Sequence, residues 1–125
     1  MLVLYAALGG GVGAAMRFLV TSRITHVWGV AFPYGTMTVN ILGSFLMGVL
    51  VEWLVRTLPH SQELRTFLAV GMLGGFTTFS GFSLDALNLS DQGQMSQFTV
   101  YVFGSVLFSI LALMFGMWLI RSVVA

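Results

Sequence analysis

Gly74-Gly75-Phe76-Thr77-Thr78-Phe79-Ser80 interrupts an otherwise apolar run from about Phe67 to Leu87. Glycine is a poor helix former, and Thr and Ser offer the backbone alternative hydrogen bonds. A segment holding Gly71, Gly74, Gly75 and Gly81 beside Thr77, Thr78, Ser80 and Ser83 is therefore expected to unwind. Irregular backbone at membrane depth is tolerated only where protein or a watery cavity shields it, and broken helices place dipole ends and free carbonyls beside ions. The competing reading is a kinked but continuous helix whose hydroxyls bond back to its own carbonyls. Freed carbonyls suit a cation, whereas the N–H end of the following half-helix suits an anion. Taken alone, the interruption is a candidate ion site of either sign.

Outward from this stretch, the chain reads as membrane throughout. Its 125 residues are 58% hydrophobic and 7% charged, against roughly a quarter charged in an ordinary soluble domain. A membrane helix uses about 20 apolar residues, so four spans with short turns consume the chain. The expected fold is an all-α membrane protein, one domain, with spans at about 2–21, 34–55, 67–87 and 98–120, the third broken. Met1-Leu2-Val3-Leu4-Tyr5 has no basic side chain ahead of its apolar run, unlike a cleavable signal peptide, so the N-terminus is expected to remain a membrane helix. Gly9-x-Gly11-x-x-Ala14 matches a dinucleotide fingerprint in letters only, because no strand precedes it and no acidic residue follows about 20 positions later. Gly9-x-x-x-Gly13 instead permits close helix packing in lipid.

With four spans, both termini share one side with the loop from Arg56 to Thr66. That side holds Arg56, Arg65 and Arg121; the other holds Arg23, Arg17 at its margin, and no basic residue between Ser90 and Gln97. So weak a bias leaves the orientation undetermined. Copies inserted both ways close naturally into an antiparallel two-fold dimer, while a partner protein that fixes orientation fits the same counts.

The polar residues inside the spans are few. Asn40 in the second span can donate to an anion or bond to a neighbouring helix. Phe79 and Phe82 share a helix face if the half-helix after the break is regular; ring edges carry positive potential, so the pair reads either as packing or as weak, charge-free anion stations. Tyr101, Ser105 and Ser109 recur every four residues as one hydroxyl stripe, open to the same two readings. Arg17 suits either a vestibule that concentrates anions or a side chain reaching for headgroups. His26 and His60 fall in expected connections, and Glu52, Glu63, Asp85 and Asp91 at the interface. With no Cys, thiolate metal sites and cysteine catalysis are excluded, and no nucleophile, base and orienting group stand together, so no enzyme is expected. Proton-coupled export needs an embedded carboxylate; without one, passive permeation past several weak stations is the remaining mechanism. No nucleic-acid partner is expected.

Three stretches resemble the Fluc, or CrcB, family of fluoride channels: Gly9-Gly10-Gly11-Val12-Gly13-Ala14-Ala15-Met16-Arg17, Gly35-Thr36-Met37-Thr38-Val39-Asn40-Ile41-Leu42-Gly43-Ser44-Phe45, and Gly71-Met72-Leu73-Gly74-Gly75-Phe76-Thr77-Thr78-Phe79-Ser80-Gly81-Phe82-Ser83. The resemblance implies a dual-topology antiparallel homodimer with two pores, exporting fluoride passively across the bacterial inner membrane, although some members pair two different chains. It implies a central structural sodium ion on the backbone carbonyls of Gly74 and Thr77. It further implies a fluoride pathway along Asn40, Phe79, Ser80, Phe82, Tyr101, Ser105 and Ser109, with Arg17 at the vestibule. Two positions depart from the family pattern, Gly81 in place of Thr and Asp85 in place of Glu. The alternative, a small four-span multidrug exporter, needs a glutamate in its first span, and none is present here.

Overall fold

The computed structural model describes residues 1–124. Helix α1 (Leu2–Trp28) is followed by α2 (Tyr34–Thr57), by a short α3 (Gln62–Arg65) that continues into a π-helical stretch (Thr66–Leu73) and α4 (Gly74–Phe76), then by α5 (Phe79–Asp91) and α6 (Met95–Val124). Four helical segments are long and apolar enough to cross a membrane: Leu2–Trp28, Tyr34–Thr57, Gln62–Asp91 and Met95–Val124. The third contains the break, between α4 and α5.

Every helix outruns the span expected of it. The first continues past Thr21, whose hydroxyl donates back to the Arg17 carbonyl at 2.8 Å, through Arg23 and His26. It stops at Gly29, where φ of 87° ends the helix. His26 thus lies in the last helical turn and not in a connection, because polar residues end the apolar segment without ending the helix. His60 does fall between helices.

Lipid gives helices no hydrophobic reason to associate, so small residues that let backbones approach decide the contacts. Here α1 lies along the π-helical stretch, and α2 along α6. A Cβ built on Gly9 would run into the Phe67 carbonyl, one on Gly13 into the Met72 carbonyl, and one on Gly75 would stand 2.5 Å from the Gly10 carbonyl. The α2–α6 pair repeats the device, Gly48 against the Leu113 carbonyl and Gly116 against the Phe45 carbonyl. Nothing in Thr66-Phe67-Leu68-Ala69-Val70-Gly71-Met72-Leu73 marks the wider π turns in the sequence. They are seen only where this stretch lies along α1.

The interior is thin. Tyr101, Leu54 and Val39 are the largest fully buried side chains, and Phe82, Ala86, Leu89 and Tyr101 form the core beside the break. Most other large apolar side chains are left uncovered by this chain, as a surface meeting lipid or another protein requires. Glu52 is 8% exposed. It accepts from Arg56 Nε at 3.1 Å and Arg121 Nε at 2.9 Å, a double pairing that offsets the cost of taking its charge out of water and ties the C-terminal ends of α2 and α6 together.

Candidate ion pathway at the break

Unwinding is confined to Thr77 (φ −83°, ψ 158°) and Thr78 (φ −150°, ψ 120°). Gly71, Gly74 and Gly75 are helical, so the glycines do not supply the break. Gly71 and Gly75 let the first half of the span lie against α1.

What holds Thr77 and Thr78 extended is an exchange of hydrogen-bond partners. In a continuous helix the Thr78 N–H would reach the Gly74 carbonyl; instead it donates to Asn40 Oδ1 at 2.7 Å. Asn40 Nδ2 in turn donates to the Thr78 carbonyl at 3.0 Å, so one side-chain amide satisfies both polar groups of one unwound residue. The Gly81 N–H, which a helix would aim at the Thr77 carbonyl, donates to Thr78 Oγ1 at 2.9 Å, an N-cap for α5. Arg17 Nε donates to the Gly75 carbonyl at 3.0 Å, replacing the Phe79 N–H. The carbonyls of Gly74 and Thr77 are thereby released from helical donors, while Thr77 itself remains tied to the Leu73 carbonyl through its N–H and its hydroxyl, both at 3.0 Å.

Beside the break is a cleft of about 370 Å³ lined by Asn40 and Ser44 from α2, Thr77, Thr78, Phe79 and Phe82 from the third span, and Ser105 and Ser109 from α6. The two rings lie 5.6 Å apart at 42°. Phe79 stands 78% uncovered, whereas Phe82 is 9% exposed and tilts against Tyr101 at 5.2 Å. Ser105 is buried, and its hydroxyl has no hydrogen-bond partner. Tyr101 lies behind Phe82, fully buried, with its hydroxyl donating to Asp85 Oδ2 at 3.3 Å. The cleft is mostly apolar, with an amide, hydroxyls and two aromatic rings at its wall and no charged side chain lining it.

The residues expected from the sequence therefore separate into groups. Asn40, Phe79, Phe82, Ser105 and Ser109 line one cleft together with Thr77. Ser80 lies at its margin, 3.2 Å from Thr78 Oγ1, and Gly74 is exposed on the surface of the break. Arg17 is half-buried at the Gly75 carbonyl. Asp85, read as interfacial, reaches Tyr101. Thr78 was not singled out, though its signal was present: a Thr directly before Phe79-Ser80-Gly81 is a ready N-cap.

A family model described as CrcB-like protein, camphor resistance (CrcB), matches residues 4–117. The chain belongs to the CrcB family. Curated relatives of this CrcB chain include the "Fluoride-specific ion channel FluC" of Chelativorans sp. (strain BNC1), 51% identical over 121 residues covering 97% of each chain. The protein of that name from Rhodospirillum centenum is 47% identical over 99% of this chain and 98% of its own. That from Cereibacter sphaeroides is 48% identical over 96% of this chain and 94% of its own.

Proposed function

We propose that this chain is a passive, fluoride-selective channel of the bacterial inner membrane, built as an antiparallel dual-topology homodimer with two pores, and not an enzyme. The observation that carries the reading is the cleft at the break, where an amide, two phenylalanines and three serines from three helices converge without a charged lining residue. A strongly dehydrated anion held there by several weak donors would be stripped of water yet released again. The names of the curated relatives supply the ion. Phe79 supports the dimer: an aromatic ring 78% uncovered at the wall of the cleft calls for a second copy to complete that wall.

The residues fit a structural sodium ion. Hard cations bind oxygen ligands, and the carbonyls of Gly74 and Thr77 have each lost the helical donor that would compete for them. Bound there, sodium would supply a fixed positive charge at the break; the chain's own part is to hold the two carbonyls out of the helix, through Asn40 and Thr78.

The experiment is efflux from liposomes containing the purified protein, started with a potassium ionophore and read with ion-selective electrodes. Fluoride is expected to leave while chloride stays. Well-folded protein that releases no fluoride would sink the channel reading.

A further inference from the structure

The polar groups that line the cleft fall into two sets. Asn40 gives its oxygen and one N–H to the Thr78 peptide, the Thr77 hydroxyl donates to the Leu73 carbonyl, and Thr78 Oγ1 is taken up by the Gly81 N–H and by Ser80. These groups hold the break. The hydroxyls of Ser44, Ser105 and Ser109, which line the same cleft, enter no hydrogen bond among the described residues. A hydroxyl inside a helix can instead return to the carbonyl four residues earlier, as those of Thr21, Thr57, Thr77, Ser83, Thr99 and Ser122 do here. Of the three free hydroxyls only that of Ser105 is sealed in. Ser44 and Ser109 are half-buried, and their hydroxyls remain open at the cleft.

The stripe on α6 stops at Ser109, because four residues further on Leu113 presents only carbon to the cleft. Helices α2 and α6 run in the same direction. Phe32, just ahead of α2, meets Tyr101 at 5.6 Å, and Glu52 meets Arg121 at 2.9 Å, the partners 69 positions apart at both ends. In that register Asn40 lies level with Ser109, and Ser44 level with Leu113. Ser44 therefore places a hydroxyl at the level where α6 has none. Met47, next along that face of α2, is apolar and also lines the cleft, so Ser44 is the last hydroxyl of the cleft toward the Glu52–Arg121 end.

We propose that Ser44 is an ion-contacting residue of the pathway, the hydroxyl on α2 that receives a small dehydrated anion from Ser109 on α6 where the α6 stripe gives way to Leu113. This rests on the channel reading above. One helical turn advances about 5.4 Å, so an ion leaving Ser109 meets a donor within a single step instead of the bare side chains of Leu113 and Met47. A neutral hydroxyl with no other partner can turn its O–H to the ion and then release it, as a weak station in a series must.

The test is fluoride efflux from liposomes, with wild-type channel measured in the same series. Ser44→Ala removes the hydroxyl alone. Efflux is expected to slow about tenfold, the loss of one hydrogen bond to a charged group. The melting temperature should equal or exceed that of wild type, because the hydroxyl has no partner within the chain and alanine favours the helix. A wild-type rate, or a slow rate that accompanies a lower melting temperature, overturns the proposal. If Ser44→Ala does not fold, Ser44→Thr and Ser44→Val decide: equal in bulk and different in the hydroxyl, they should differ about tenfold in efflux, Ser44→Thr the faster. Equal rates in that pair overturn it. Vesicles in which the wild type itself releases no fluoride would instead sink the channel reading, a result distinct from a conducting wild type with an equally conducting Ser44→Ala.

Discussion

The two halves of Gly71–Gly81 contrast in what their residues do. From Gly71 to Gly75 the chain is helical and rich in glycine, and Gly71 and Gly75 serve contact: a Cβ on Gly71 would stand 2.8 Å from Gly9 Cα, and one on Gly75 2.5 Å from the Gly10 carbonyl. From Thr77 the chain is extended, and what decides its shape is donors and acceptors brought from elsewhere, Asn40 from α2, Arg17 from α1 and the Thr78 hydroxyl itself. Conformational freedom explains neither half. One is shaped by how close a neighbouring backbone comes, the other by who satisfies the peptide groups the helix gave up.

The strongest way to break that contrast is to add side chains to the face of α1 against which the packed half lies. Gly13→Val drives a branched side chain into the Met72 carbonyl, which is backbone and cannot rotate away. No folded channel is expected on size-exclusion chromatography. Gly10→Ala, whose Cβ meets nothing within 4 Å, is the control and should be recovered as well as wild type, helped by roughly 0.8–1 kcal/mol of helix propensity. Equal recovery of Gly13→Val and Gly10→Ala would show that the glycines are not there for contact.

Next in size is Asn40→Leu, aimed at the unwound half. It leaves the Thr78 N–H without a partner, at a cost of about 1–3 kcal/mol, and leaves the Thr78 carbonyl only its place in the first turn of α5. A lower melting temperature is expected, together with fluoride efflux reduced by more than about tenfold, since the break loses its clamp and the cleft an amide. Wild-type thermal stability would mean that the Thr78 peptide has another partner.

The smallest effect is expected at Thr77. Thr77→Val removes the hydroxyl bond to the Leu73 carbonyl, worth about 1 kcal/mol, and leaves the main-chain carbonyl in place. Flux should be nearly retained, and exchanging external sodium for another cation should not change it promptly, because the ion proposed there is structural. A steep, immediate sodium dependence would indicate coupling instead.

Much of this was legible in the sequence because membrane rules are strict. Length and apolar content dictate helices, and the few polar residues inside them, Asn40, Ser105 and Ser109 among them, had few places to go and meet at one cleft. The exact site of unwinding was not legible, because Gly74 and Gly75 look like helix breakers and are helical here, and the close approach that Gly75 serves is to Gly10 and Ala14 of α1, more than 60 residues earlier in the chain. Nor could the sequence place Arg17: an arginine bonded to the Gly75 carbonyl at 3.0 Å reads, in one dimension, the same as one at a vestibule. The Tyr101–Asp85 bond was hidden for the same reason, as Asp85 is remote from Tyr101 in the chain and meets it only where α5 turns back against α6.

The claim that joins both halves is that the break mounts Phe79 and Phe82 against an anion path, and it is tested most directly by fluoride efflux through Phe79→Ile and Phe82→Ile channels. Phe79 is 78% uncovered within its own chain, so its loss should leave the fold of the chain intact, and isoleucine keeps an apolar side chain for the proposed second copy to meet. Efflux abolished or strongly slowed in each variant, with dimers still eluting as such, is the predicted result; unchanged efflux in both would return the rings to packing and contradict the account.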